Sequence, residues 1–184
     1  MSDITLVTGN PNKLVELQAL LPSELDIKAR KLDLVEIQSL DLVEIVTKKL
    51  YAAYEIVGGP VIVEDISAEL ENLNGLPGPF IKFFEEKLGK DALYKLSNDG
   101  THVVIRCCMG YYDGNMLETF LGIMEGTITS PKGEGGFGFD CVIIPDGFSD
   151  TLSILGPDVK NTISHRFKAA KQLAEFVVSL NKPQ

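Results

Sequence analysis

Ile4-Thr5-Leu6-Val7-Thr8-Gly9-Asn10-Pro11-Asn12-Lys13 carries a strand, a break and the start of a helix. Its first four residues are β-branched or aliphatic and predict a strand. Thr8-Gly9-Asn10 breaks the run, and Leu14, Leu17, Leu20 and Leu21 then recur at helical spacing, so a helix begins at once. Pro11 suits the first turn of that helix, where a missing N–H costs nothing, and Pro22 ends it. A strand that turns directly into a helix opens an α/β unit. Ile27–Leu34 is a second strand candidate. Leu42–Val57 reads as a helix, with Val43, Val46, Leu50, Ala53 and Val57 as its apolar stripe and Gly58-Gly59 as its stop. Pro60-Val61-Ile62-Val63 lacks alternation, as a short strand buried on both faces does. Glu64-Asp65 then stands at the C-terminal end of that strand, where ligands gather in open α/β sheets.

The second half changes character. Gly75-Leu76-Pro77-Gly78-Pro79 is a rigid turn ahead of a helix over Phe80–Lys87, and Asp91–Leu96 is a short helical piece. Thr101–Tyr112 and Met116–Thr129 flank Asp113-Gly114-Asn115, a hairpin signal that predicts a long antiparallel pair. Gly133–Gly138 holds four glycines in six residues and reads as loop. Cys141–Ile144 predicts a strand. Thr162–Leu180 predicts a closing helix with Phe167, Ala170, Leu173, Ala174 and Val177 inward. The expected fold is α/β: a mixed sheet with flanking helices, one domain over residues 1–184, with two lobes around a central cleft that holds the site.

Composition narrows the function classes. Lys and Arg total 17 against 26 Asp and Glu, a net charge of -9. That balance argues against a general binder of nucleic-acid backbone or of anionic membranes. It leaves room for a nucleotide, because a few local cations or a divalent metal reverse the potential inside a cleft. The three cysteines, Cys107, Cys108 and Cys141, form no CxxC and no zinc spacing. The expectation is a reduced, cytoplasmic setting. Cys107 and Cys108 are adjacent on a strand and face opposite ways, so one is expected to be buried and inert.

Four constellations could carry chemistry. Thr8, Gly9 and Asn10 with Lys13 place backbone N–H groups and one cation at a helix N-terminus, which favours an anion; the plain alternative is a turn with a surface lysine. Glu44, Glu64 and Asp65 offer hard oxygen ligands of the kind Mg2+ takes. Alternatively Glu44 only favours its helix dipole, and Glu64-Asp65 is a solvated strand end. Phe137, Gly138, Phe139 and Asp140 suit a tight loop around a flat base, or a loop anchored to the core. Lys160, Ser164, His165 and Arg166 cluster before a helix start, where Thr162 or Ser164 could equally be an N-cap. A triphosphate explains the four together.

These motifs, in this order, resemble the inosine triphosphate pyrophosphatase family, also called the Ham1 family, and look most like its eukaryotic branch. The resemblance runs from about Ile4 to Leu180. It rests on Thr8-Gly9-Asn10 with Lys13, Glu44 with Lys49, Val63-Glu64-Asp65, Gly75–Pro79 followed by Ile81-Lys82, Phe137–Asp140, and Lys160-Asn161 leading to Ser164-His165-Arg166. It implies an elongated α/β protein that forms a homodimer and hydrolyses ITP, dITP and XTP to the monophosphate and pyrophosphate with Mg2+, or Mn2+ as a substitute. By the same resemblance Glu44 and Asp65 are the metal-side acids, and Glu64 or Asp65 activates water. Lys13, Lys160 and Arg166 contact the phosphates, and Lys49 and Lys82 are further substrate-binding residues. Phe137, Phe139, Asp140, Ser164 and His165 form the base pocket.

The chain departs from the family at several points. Ile66 stands where a Thr or Ser is usual, Phe139 where Trp is usual, Cys141 where Pro is frequent, and Ile154 where Glu is usual. Two alternatives follow: a nucleotide-binding protein with reduced or lost turnover, and a pyrophosphatase that prefers another modified nucleotide.

Overall fold

A computed structural model describes residues 4–20 and 27–180. The chain divides into two compact units. The first runs up to Asp65 and adds Cys107–Gly122 and the chain from Arg166 onward; the second comprises Ile66–Arg106 and Ile123–His165.

The first unit is a parallel α/β layer. It contains β1 (Ile4–Val7), α1 (Pro11–Leu20), β2 (Ile27–Arg30), α2 (Leu42–Val57) and the start of β3 (Val61–Leu70). β1 pairs in parallel with β2, Ile4 opposite Ile27, and with β3, Leu6 opposite Ile62. Parallel neighbours need crossover connections, and α1 and α2 supply them. Successive strand residues face opposite ways. Leu6, Ile62 and Cys107 therefore join one core with Leu17, Ala170 and Leu173, while Val7, Val61, Val63 and Cys108 join another with Val46 and Leu50. Asp41 caps α2 by accepting from Val43 N and Glu44 N.

The second unit holds the rest of β3, β4 (Pro77–Gly78), α3 (Ile81–Leu88), α4 (Ala92–Lys95), β7 (Ile143–Pro145) and α5 (Leu152–Ile163). β5 (His102–Tyr112) and β6 (Leu117–Ile128) contribute residues to both units, and α6 (His165–Leu180) closes the chain. Leu70, Ile81, Leu93, Ile105, Met124, Ile143 and Leu152 form the core of the second unit. The sheet order is β2-β1-β3-β5-β6-β7, with β4 paired to β3. The fold is thus the mixed α/β arrangement that the sequence predicts. No helix among the described residues is long and apolar enough to cross a membrane.

Several sequence expectations need correction. β3 runs ten residues, from Val61 to Leu70, so Glu64 and Asp65 lie inside a strand and not at its end. Two adjacent carboxylates read as a solvated terminus unless their partners are visible, and those partners come from elsewhere in the chain. α5 is not signalled by the sequence, because Gly156-Pro157 looks like a break. Gly156 does leave helical geometry (φ 79°, ψ 174°), so two helical pieces meet there at a kink and together span Leu152–Ile163. α6 then begins at His165, with Ser164 extended just before it (φ -67°, ψ 158°), while Thr162 bonds Val159 O within α5. Lastly, Cys107 and Cys108 are both buried, one on each face of the layer, and burial pushes the Cys108 thiol up to about 12. Cys141 precedes β7, inside a 3-10 turn over Gly138–Val142.

Candidate active site

In the first unit the strand-to-helix turn after β1 is closed by Thr8, whose Oγ1 accepts from Asn10 N at 3.1 Å. A Cβ on Gly9 would make only ordinary contact with the Lys31 side chain, so the surrounding protein does not demand glycine there. Lys13 follows one turn into α1, and its Nζ lies 3.2 Å from Glu64 Oε1. Arg166, in the first turn of α6, meets the same carboxylate with two bonds, Nε to Oε2 at 3.0 Å and Nη2 to Oε1 at 2.8 Å. Glu64 is 6% exposed and Arg166 1%. Burial opposes the Glu64 charge, but Arg166 and then Lys13 outweigh it and hold the carboxyl well below the usual carboxylate range.

Asp65 points to the face opposite Glu64. Its Oδ2 lies 3.0 Å from Lys49 Nζ, which also reaches Glu36 Oε1 at 2.9 Å. Burial works against the Lys49 charge; Asp65 and Glu36 outweigh it and raise the ammonium above its ordinary range. Glu44 is exposed on α2 and accepts from Ser39 Oγ at 2.7 Å.

The donor chemistry discriminates among these acids as ligands for a hard cation. Glu64 is already neutralised by a guanidinium and an ammonium. Asp65 pairs with Lys49, which Glu36 shares, and Glu44 accepts from the neutral Ser39 hydroxyl, so both could offer charge to Mg2+. Among the described residues, the acids Glu44, Glu64 and Asp65 do not form a close group of three; His102, Glu125 and Asp146 do, with ligand atoms all within 4.8 Å of one another. That group could hold a cation. It arises where β5, β6 and the end of β7 come side by side, and His102 Nε2 sits 3.2 Å from Glu125 Oε2. An imidazole nitrogen suits a borderline transition ion better than Mg2+. No motif signals this group, since strand pairing alone assembles it.

The second unit gathers the glycine-loop residues. Asp140 Oδ2 accepts from Phe137 N at 3.0 Å and from Lys160 Nζ at 2.7 Å, and both Asp140 and Lys160 are buried. The same ammonium stands 4.1 Å above the centre of the Phe137 ring, in cation–π geometry. Lys160, which the resemblance puts with the phosphates, therefore shares its charge here with the aromatic loop. Gly136 is required: its φ is 74°, and a Cβ there would collide with the Asp140 carboxylate. The rings of Phe139 and His165 lie 6.5 Å apart, tilted by 37°, and Ser164 and His165 are buried. Lys82 is exposed on α3.

Glu85, also on α3, is a residue that sequence reading missed. Gly138 has a φ of 60°, and a Cβ on it would lie 3.1 Å from Glu85 Oε1. Burial, and then the charge of Asp140, push the Glu85 carboxyl up to about 7. An acid among Ile81, Phe84 and Leu88 was the available signal, because it interrupts the apolar side of a short helix.

A family model described as the Ham1 family matches residues 4–176. The chain belongs to the Ham1 family. It is 38% identical to the inosine triphosphate pyrophosphatase of Scheffersomyces stipitis over 97% of this chain and 100% of that one. It is 37% identical to the Schizosaccharomyces pombe protein of the same name, over 97% of each. Two solved Ham1 proteins share the fold. The Staphylococcus aureus structure has a TM-score of 0.81 at 25% identity, and the Coxiella burnetii structure 0.80 at 27%; each comparison covers 97% of this chain and 100% of the other. Membership supports nucleoside triphosphate pyrophosphatase activity on non-canonical purine nucleotides.

Proposed function

We propose that this Ham1 protein is a Mg2+-dependent pyrophosphatase that converts ITP, dITP and XTP to the monophosphate and pyrophosphate. The observation that carries the reading is the Glu64-Asp65 step. Two adjacent carboxylates on one strand are each held by cations from other elements, Lys13 and Arg166 on Glu64 and Lys49 on Asp65. A fold seeking only stability gains little from buried ion pairs, so their presence favours a role in chemistry. The fungal relatives, named inosine triphosphate pyrophosphatases, supply the substrate class.

Glu44 and Asp65 are the residues that would hold Mg2+, which when bound withdraws negative charge from the phosphates. Glu64 is locked in a two-point clamp and is a poor base. Asp65 pairs with Lys49 and is not held in the guanidinium clamp, so it is the better group to orient and deprotonate the attacking water. Lys13 and Arg166 carry positive charge that offsets the leaving pyrophosphate. Phe137 and Phe139 offer stacking surfaces for the purine, and Asp140, Lys160 and His165 its polar contacts. A site lined with donors favours a 6-keto purine, because a 6-amino group leaves those donors unpaired. The homodimer and the cytoplasmic setting remain parts of the same proposal.

The test is pyrophosphate release from ITP, XTP, dITP, GTP, ATP and dUTP, with and without Mg2+. The reading expects Mg2+-dependent release from the first three and little from ATP and GTP. Binding of ITP without release would move the chain to the nucleotide-binding alternative, with Ile66 and Ile154 the first residues to revert. Preferential release from dUTP would move it to a different nucleotide class.

A further inference from the structure

We propose that Glu85 reads the base: as a carboxylic acid it donates a hydrogen bond to the keto oxygen of the purine, and so sets the preference for keto over amino purines. The inference rests on the proposed substrate class and goes beyond it by naming a selector.

Geometry carries the case. Ile81, Phe84 and Leu88 form the inward side of α3, and Glu85 follows Ile81 by one turn on that same side. The pattern calls for an apolar residue there. Glu85 Oε1 is instead shut off from solvent, and it has no hydrogen-bond partner among the described residues. A buried oxygen left unpaired is destabilising, so a ligand is the natural missing partner. What Glu85 faces is the glycine loop: Oε1 lies where a Cβ on Gly138 would nearly touch it, between Phe137 and Phe139 in the chain.

Burial, and then the charge of Asp140, favour the protonated acid. Asp140, on the 3-10 turn, is the charged group that acts on it, and the Lys160 ammonium that could offset this is already on Asp140 at 2.7 Å. On α4 and the residue before it, Lys95 and Asp91 pair with each other at 2.8 Å. On α3 itself Lys82, Glu86 and Lys87 are exposed. Burial and Asp140 together push the carboxyl up to about 7. The two protonation states then read different bases. The acid donates, and a keto oxygen accepts. The carboxylate only accepts, which suits an amino group. Selectivity for inosine over adenine nucleotides should therefore fall as pH rises through neutrality.

The experiment compares the wild type, Glu85→Gln and Glu85→Leu from about pH 6 to about pH 8.5, a span that brackets the Glu85 transition. The readout is the ratio of kcat/KM for ITP to that for ATP, in which pH effects common to both substrates cancel. The wild-type ratio should fall about tenfold across the span, the size expected for losing one hydrogen bond and gaining its opposite. Glu85→Gln keeps a donor at every pH and should hold a flat, high ratio. Glu85→Leu should give a flat, low ratio through a raised KM for ITP. In parallel, calorimetry of IMP binding at about pH 8, in buffers of different ionisation enthalpy, should show proton uptake by the wild type and none by Glu85→Gln. A pH-independent wild-type ratio, or a Glu85→Leu ratio equal to wild type, overturns the proposal. The calorimetric arm needs no turnover. IMP binding with proton uptake but no pyrophosphate release would sink the pyrophosphatase reading and leave Glu85 standing. Release from ITP with a flat ratio would do the reverse.

Discussion

Arg166 clamps Glu64 at two points, 102 residues apart in the chain, with Nε on Oε2 at 3.0 Å and Nη2 on Oε1 at 2.8 Å. Both side chains are buried, and Lys13 completes a triad on the same carboxylate. The planar guanidinium matches the carboxylate fork, which an ammonium cannot do. The clamp joins the first turn of α6 to the middle of β3, and it holds two of the cations proposed for catalysis at a fixed carboxylate.

Arg166→Ala should therefore destabilise strongly. Removing one partner of a buried pair leaves an uncompensated charge and typically costs about 3–5 kcal/mol. Arg166→Lys should restore part of that loss but not the two-point geometry. Urea unfolding of the three proteins checks both statements, and a loss below about 1 kcal/mol for Arg166→Ala would show that Lys13 alone satisfies Glu64.

Acid should unfold the protein partly through Glu64. Its carboxyl in the folded state is held well below the ordinary range by Arg166 and Lys13 against the opposing effect of burial. A group depressed on folding stabilises above its unfolded pKa, about 4.3 for glutamate, and that stabilisation fades as pH falls from there toward the folded value. Stability should drop steeply below about pH 4.3 in the wild type and more gently in Glu64→Gln. Chemical denaturation across acidic pH measures the two slopes, and equal slopes would assign acid sensitivity to other carboxylates.

Glu85 should act with the opposite sign. Its carboxyl is raised by burial and by Asp140 to about 7. A raised group stabilises below its unfolded pKa and loses that contribution as pH rises through the folded value. Glu85→Gln, neutral throughout, should lose this slope and melt higher than wild type at about pH 8, with the gap closing at about pH 5. Parallel melting curves at both pH values would mean that the Glu85 charge is relieved by another route.

Much of the fold was legible, and the reason is local. Ile4–Val7 and Leu42–Val57 match the predicted strand and helix because each carries its own period and its own stop. Glu64 and Asp65 were legible as chemistry but not as strand interior, since their cations arrive from α1, α2 and α6. α5 was hidden by Gly156-Pro157, which divides it into two helical pieces too short to show a period of their own. Glu85 and the His102–Glu125–Asp146 group were illegible for a further reason. Each acquires its neighbours only when α3 meets the 3-10 turn, or when β5, β6 and β7 align.

Asp65 should separate function from stability. It is less buried than Glu64, and its partner Lys49 is also held by Glu36 at 2.9 Å, so losing the Asp65 charge leaves that ammonium a partner. Asp65→Asn should therefore unfold close to wild type while losing at least about a hundredfold in kcat, because the amide neither takes a proton nor offers charge to a metal. A large stability loss would recast Asp65 as structural, and unchanged kcat would remove it from the chemistry.

Gly136 offers the sharpest test of the loop. Its φ is 74°, and a Cβ there would collide with the Asp140 carboxylate that Phe137 N and Lys160 Nζ both hold. Gly147 is its natural control, with a φ of 84° and nothing within 4 Å of where a Cβ would stand. Both Gly→Ala changes incur the same left-handed backbone cost, about 1–2 kcal/mol. Only Gly136→Ala also displaces Asp140. The two variants should then lose similar backbone stability, with an additional loss for Gly136→Ala. KM for every purine nucleotide should rise in Gly136→Ala alone, with kcat largely kept, since the triad on Glu64 is built from other elements. Equal KM values in the two variants would show that the Asp140–Lys160 pair does not hold the base, and would move the stacking role onto Phe139 by itself.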